Sequence, residues 1–109
     1  MKGQLTKYSI ERFSRQIVLK NIGIIGQKKI LAAKVLIVGV GGLGCPAAEF
    51  LCRAGIGHIG IVDHDKVNLS NLHRQNLFHS SDINKYKVSV AKNKIKSINP
   101  STNVTIYKY

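Results

Sequence analysis

Lys34-Val35-Leu36-Ile37-Val38-Gly39-Val40-Gly41-Gly42-Leu43-Gly44 is the stretch that decides the fold. Val35 to Val38 is a continuous apolar run rich in β-branched residues, the pattern of a buried strand in a parallel sheet. Gly39-x-Gly41-x-x-Gly44 follows at once, and a helix over about 43–54 comes next. Strand, glycine turn and helix in that order are the context in which this spacing marks a nucleotide-binding corner. Glycine lets the main chain turn tightly and approach a phosphate, and the helix N-terminus adds unpaired N–H groups and a partial positive charge. Gly39, Gly41, Gly42 and Gly44 are therefore candidate nucleotide contacts.

Upstream, residues 1–8 read as a tail, and 9–20 as a helix capped by Ser9 with Ile10, Phe13 and Ile17 on one face. A short helix over about 26–33 precedes the strand. Downstream, the helix after the glycine turn has Leu43, Ala47, Phe50, Leu51 and Ala54 as its expected apolar face. Pro46 is tolerated there in the first turn. His58 to Asp63 reads as a second strand and 64–83 as a polar loop. A helix over about 84–98 carries the stripe Val88, Ala91, Ile95 and Ile98 and stops at Asn99-Pro100. Val104 to Tyr107 is a third strand. The order βαβαβ predicts an α/β, Rossmann-like three-layer fold: the first half of a doubly wound, mostly parallel sheet, with an N-terminal helical arm. The expected organisation is an arm over 1–33 and a nucleotide-binding half-domain over 34–109. The first strand of such a sheet is central, so three strands leave Val35 to Val38 with an unpaired edge, and the half-domain is expected to be incomplete.

The polar residues narrow the chemistry. Asp63, at the end of the second strand, can accept hydrogen bonds from ribose hydroxyls, and Asp65 can assist. The run Asp63-His64-Asp65-Lys66-Val67-Asn68-Leu69-Ser70-Asn71-Leu72-His73-Arg74-Gln75 then brings in a cation that a dehydrogenase does not need. Splitting ATP between its α- and β-phosphates shifts charge that fixed cations stabilise, and Arg74 and Lys87 can supply them. Arg12 and Arg15, three residues apart, share a helix face in the arm.

Composition sets limits. The 109 residues carry 17 Lys and Arg against 5 Asp and Glu, a net charge of +12. Lys85, Lys92 and Lys96 recur opposite the apolar stripe of the last helix and read as solvating. The excess charge is taken as attraction for phosphates or an acidic protein partner rather than for nucleic acid. No apolar run approaches the length of a membrane helix, and the N-terminus has no signal core. The expected location is the cytoplasm, with a plastid stroma as the alternative. Cys45 and Cys52, seven apart in one helix, are too distant for a disulfide and lack metal-site spacing, so buried structural thiols are expected.

Arg12-Phe13-Ser14-Arg15-Gln16, Val35 to Gly44, Ile61 to Asp65, Leu69 to Gln75 and Lys87 together resemble the ThiF/MoeB/HesA family, related to the ubiquitin-activating enzymes. The resemblance runs from about residue 8 to 109. It implies ATP-dependent adenylation of the C-terminal glycine carboxylate of a ubiquitin-like sulfur carrier ending in Gly-Gly, of the molybdopterin or thiamine type. By this likeness Gly42 lies against the nucleotide and Asp63 holds the ribose. Ser70, Asn71, Leu72, His73, Arg74 and Gln75 belong to the nucleotide site, and Arg74 and Lys87 contact phosphates. Arg15 reaches the phosphates of a neighbouring subunit in a homodimer. The family's magnesium-binding Asp falls beyond this chain, so Mg²⁺ is implied but no metal ligand is expected here. The chain departs from the family at Asn84, where Gly is common. Two alternatives remain open: a non-catalytic nucleotide- or partner-binding fragment, and an NAD-dependent oxidoreductase.

Overall fold

The computed structural model describes residues 5–41 and 44–109. Three arm helices come first, α1 (Lys7–Arg12), α2 (Ser14–Ile17) and α3 (Gly23–Ala32). They are followed by β1 (Lys34–Val38), α4 (Gly44–Ala54), β2 (His58–Val62), α5 (Lys87–Ile98) and β3 (Asn103–Tyr107). The three strands are parallel in the order β1-β2-β3, with Val35 opposite Ile59 and Ile59 opposite Val104. This is the expected βαβαβ half of a Rossmann-like sheet. Ile37, Ile59 and Ile61 pack with Cys45, Ala48 and Cys52 of α4 and Val88, Ala91 and Ile95 of α5. Among the described residues β1 pairs only with β2, and Leu36 and Val38 are 59% and 76% exposed. No helix is long and apolar enough to cross a membrane among the described residues.

Several local expectations are corrected. The helix expected over 9–20 is broken at Phe13, and its cap is Thr6, whose hydroxyl accepts the Ser9 N–H at 3.1 Å. Of the stripe Ile10, Phe13 and Ile17, only Phe13 is buried. The third helix starts at Gly23, earlier than about 26. The buried face of α4 is Cys45, Ala48 and Cys52, whereas Phe50 is 63% exposed and Ala47 is also exposed. The start of α4 against the glycine turn sets its rotation, so position in the fold outweighs bulk in choosing the face. Leu43, expected on that face, lies outside the described residues. The last helix begins at Lys87, because Asn84 takes a left-handed φ of 71° and Tyr86 is extended. Lys96 is not simply solvating. Its ammonium donates to the carbonyls of Pro100 and Thr102 at 2.7 and 2.8 Å, holding the turn after α5.

The arm is fastened to the ends of two other helices. Gln16 Nε2 donates to Gln27 Oε1 and to Ala54 O, and Gln27 Nε2 donates to the same carbonyl. Arg12 Nη2 donates to Ile98 O at 2.6 Å. Last-turn carbonyls have no partners inside their own helices, so the arm supplies donors where α4 and α5 need them. Gly55 makes the approach possible: its φ is +101°, and a Cβ there would lie 2.8 Å from both Gln27 Nε2 and Phe13 Cζ. Gly55→Ala combines backbone strain with a displaced arm. It is expected to cost about 2 kcal/mol in urea unfolding and to expose the arm to protease. Wild-type stability with a protected arm would refute this docking.

Candidate functional site

β1 ends at the glycine corner. Gly39 leaves the strand with φ +91°, while its N–H still donates to Val62 O at 2.7 Å and adds a rung to the β1–β2 ladder. At Gly44 a Cβ would sit 2.0 Å from Gly39 O and 3.0 Å from Gly39 C. Main chain cannot yield by that much, so α4 can start against the turn only because residue 44 has no side chain. Cys45 N then donates to Gly41 O at 3.0 Å. Gly42 lies outside the described residues.

Asp63 crosses from β2 to this corner. Its Oδ2 accepts the Val40 N–H at 2.8 Å, and its Oδ1 accepts the Asp65 N–H at 2.7 Å. Each oxygen keeps a further lone pair, and the residue is half-buried, so hydroxyl donors can still reach it. Asp65 contributes mainly through its carbonyl, which accepts Lys87 N at 3.0 Å. Its carboxylate is exposed and lies 3.2 Å from His64 Nε2. Asp63, His64 and Asp65 place potential ligand atoms within 4.8 Å of one another. Both Asp63 oxygens already serve main-chain donors, however, and Mg²⁺ demands near-ideal octahedral geometry. The set therefore suits hydroxyl recognition better than a magnesium ion.

Lys87 is the first residue of α5 and only 6% exposed. Among the described residues its ammonium has neither a hydrogen bond nor an ion pair. Its charge acts on the Cys45 thiol, as does that of Asp63, which places both near the corner. A cation held at the start of α5, with no anionic partner among the described residues, is available to an anion in the corner. The glycine approach, the hydroxyl acceptor and the Lys87 cation fit a nucleoside triphosphate.

The loop residues divide. Asn71 is buried, and its Oδ1 accepts the Asn68 N–H at 3.1 Å, while Ser70 Oγ donates to Asn68 Oδ1 at 2.6 Å. Both therefore shape the loop. Leu72 packs against the core, and His73 is exposed. Arg74 is exposed, with Nη1 donating back to Ser70 O at 3.0 Å, and among the described residues no hydrogen bond or ion pair joins it to the corner. Gln75 is 2% exposed, with its amide beside Gly41. Arg15 is exposed on the arm, which docks at the C-terminal end of α4. Gly44 is at the other end of this 11-residue helix, about 16 Å away. The structure thus brings together Gly39, Gly41, Gly44, Asp63, Asp65, Gln75 and Lys87, and leaves Arg15 outside its own corner.

Two contributors were not visible in the sequence. Val40, fully buried, holds Asp63 through a main-chain N–H, which leaves no mark on residue type. Cys45, also fully buried, donates Sγ–H to Val40 O at 3.6 Å, and burial pushes its thiol up to about 11. Both cysteines are free and buried.

The ThiF family model matches residues 13–109. The adenylyltransferase and sulfurtransferase MOCS3 of Culex quinquefasciatus is 46% identical over 104 residues, covering 95% of this chain and 24% of that protein. The sulfur carrier protein adenylyltransferase of Thermus thermophilus is 40% identical over 102 residues, covering 94% of this chain and 38% of that protein. Among solved structures, the E. coli tRNA N6-threonylcarbamoyladenosine dehydratase TcdA in complex with ATP superposes with a TM-score of 0.86 at 29% identity. That match covers 97% of this chain and 43% of the other. The chain thus spans between 24% and 43% of the length of these relatives.

The Cys45 thiol yields a pH test. Its pKa is raised from 9.0 to about 11 in the folded state, so the fold favours the neutral form. The stability it contributes is complete below pH 9 and is lost as pH rises toward 11. Urea midpoints at pH 7 and at pH 10 should fall more steeply with pH in the wild type than in Cys45→Ala. Parallel slopes would contradict the assignment.

Proposed function

Because the chain belongs to the ThiF family, we propose that it forms the nucleotide-binding part of an enzyme that adenylates the C-terminal glycine carboxylate of a ubiquitin-like sulfur-carrier protein. One observation carries this reading: Lys87, without an anionic partner among the described residues, starts α5 with its N–H on Asp65 O, next to a glycine corner pinned by Asp63. The likeness to a sulfur carrier protein adenylyltransferase supports the substrate class.

In this mechanism Asp63 receives the ribose hydroxyls on lone pairs left free by Val40 and Asp65. Main-chain N–H groups of the corner take phosphate oxygens at the start of α4. A carboxylate oxygen of the carrier attacks the α-phosphorus. The bond from that phosphorus to the bridging oxygen breaks, its electron pair leaves with pyrophosphate, and an acyl-adenylate remains. Lys87 stabilises the charge that develops, and Arg74 joins it by exchanging Ser70 O for a phosphate oxygen. Mg²⁺, when bound, neutralises phosphate charge, and no described residue is assigned as its ligand. Arg15, held by the arm away from its own corner, serves the phosphates of a second subunit in a homodimer. Molybdopterin or thiamine biosynthesis is the setting this chemistry suits, in the cytoplasm or a plastid stroma. A nicotinamide-dependent reading shares the glycine corner and Asp63 but gives Arg15, Arg74 and Lys87 no task. An ATP-binding part without turnover is the remaining alternative.

Calorimetry with ATP and pyrophosphate–ATP exchange with a Gly-Gly-ending carrier test the proposal. The whole protein should exchange pyrophosphate only with the carrier present, and Lys87→Ala should lower the rate roughly 100-fold or more. ATP binding without exchange for any such carrier would leave only the nucleotide-binding alternative. Absence of ATP binding would end both.

A further inference from the structure

α2 is a single turn with no side-chain cap, and a helix that short does not fix its own orientation. Its position comes from what its two sides grip. Phe13, just before it, is buried beside Gly55. Gln16 holds the other side: its Nε2 donates to Gln27 Oε1 at 2.9 Å and to Ala54 O at 3.0 Å. Gln27 is fully buried, and its own Nε2 donates to Ala54 O at 3.1 Å, so the three groups close a triangle of hydrogen bonds. Ala54 is the last residue of α4. Successive residues on a helix are about 100° apart, so seating Gln16 against Ala54 turns Arg15 away from it. Arg15 is exposed accordingly, and among the described residues no hydrogen bond or ion pair holds its guanidinium. Arg12 differs: Nη2 is engaged by Ile98 O at 2.6 Å and Nη1 by Tyr8 Oη at 2.9 Å.

We propose that Gln16 is the positioning residue for Arg15: tied to Gln27 and to the end of α4, it fixes the direction in which Arg15 leaves its own subunit for the phosphates of the neighbouring one. The proposal rests on the reading of Arg15 as a group that serves a second subunit, and deepens it by naming what aims that group. Gln16 touches neither nucleotide nor carrier. Its effect passes through the main chain of α2 to the next residue. A long side chain reaching across an interface amplifies any tilt of that turn, and a misplacement of about 1 Å at a reacting centre can cost roughly 100-fold in rate. Gln16 therefore acts on the partner's corner, whereas Asp63 and Lys87 act on their own.

The test uses hybrid dimers of the whole protein, isolated with a different affinity tag on each subunit. Gln16→Met is similar in length but has no donor, and as a homodimer it should lose roughly tenfold or more in pyrophosphate–ATP exchange. Paired with a Lys87→Ala subunit, it should recover. The corner of the Gln16→Met subunit then keeps its own Lys87 and receives Arg15 from an intact arm, so the hybrid should reach about half of wild-type activity, one working site of two. A structural role confined to its own subunit would leave that hybrid as slow as the parents, and this result would overturn the proposal. So would wild-type exchange by the Gln16→Met homodimer. Gln16→Asn keeps the amide but withdraws it by one methylene, and it carries the same two measurements if the Met variant folds poorly. A hybrid of Arg15→Ala with Lys87→Ala separates the two readings. If it regains activity and the Gln16 hybrid does not, the positioning role alone falls. If it stays inactive, the delivery of Arg15 between subunits falls, and this proposal with it.

Discussion

The hydrogen bond from Val40 N–H to Asp63 Oδ2 is the constraint on which the corner depends. It spans 2.8 Å between the loop leaving β1 and the residue following β2. The rung from Gly39 N to Val62 O lies beside it. Together they carry the β1–β2 register past the end of the strands into the turn. A charge-assisted bond of this kind is roughly twice as strong as a neutral one. The same carboxylate also holds the Asp65 N–H, and the Asp65 carbonyl receives the first N–H of α5. One acidic side chain thus links the glycine turn, the segment after β2 and the helix that presents Lys87.

The arm and the loop after β2 both divide into residues bonded within the fold and cations left exposed. In the arm, Arg12, Phe13 and Gln16 are occupied by Ile98 O, the pocket beside Gly55 and the Gln27–Ala54 pair. Arg15 is left exposed between them. In the loop after β2, Asn68, Ser70 and Asn71 bond one another, and Arg74 remains on the surface. Each motif therefore combines a scaffold with one projecting cation. That division explains why neighbouring arginines such as Arg12 and Arg15 are not equivalent.

The strand order, the glycine corner and the position of Asp63 were legible in the sequence, because each rests on a local rule: β-branched runs, glycine spacing and a carboxylate at a strand end. The face of α4 was not. Phe50 and Leu51 outweigh Cys45 and Cys52 in hydrophobicity, yet the close approach of Gly44 to Gly39 O turns the small residues inward. The break at Phe13 was hidden for a similar reason, since the arm's path is set by carbonyls of α4 and α5 far along the chain. Within the site, Ser70 and Gln75 were read as ligand contacts from their place in a motif. The structure adds their protein neighbours, Asn68 for Ser70 and Gly41 for Gln75. Val40 could not be picked out at all, because what it contributes belongs to the peptide group.

The clasp formed by Gln16, Gln27 and Ala54 O bears on how the gene for this protein can vary. A transcript or start site that skipped the residues before β1 would remove a basic tail and also strip the donors from the C-terminal ends of two helices whose opposite ends, at Gly44 and Lys87, form the glycine corner. Shortened isoforms of that kind should accumulate poorly in cells even if every residue of the corner were intact, so selection on the arm would persist wherever the corner is in use.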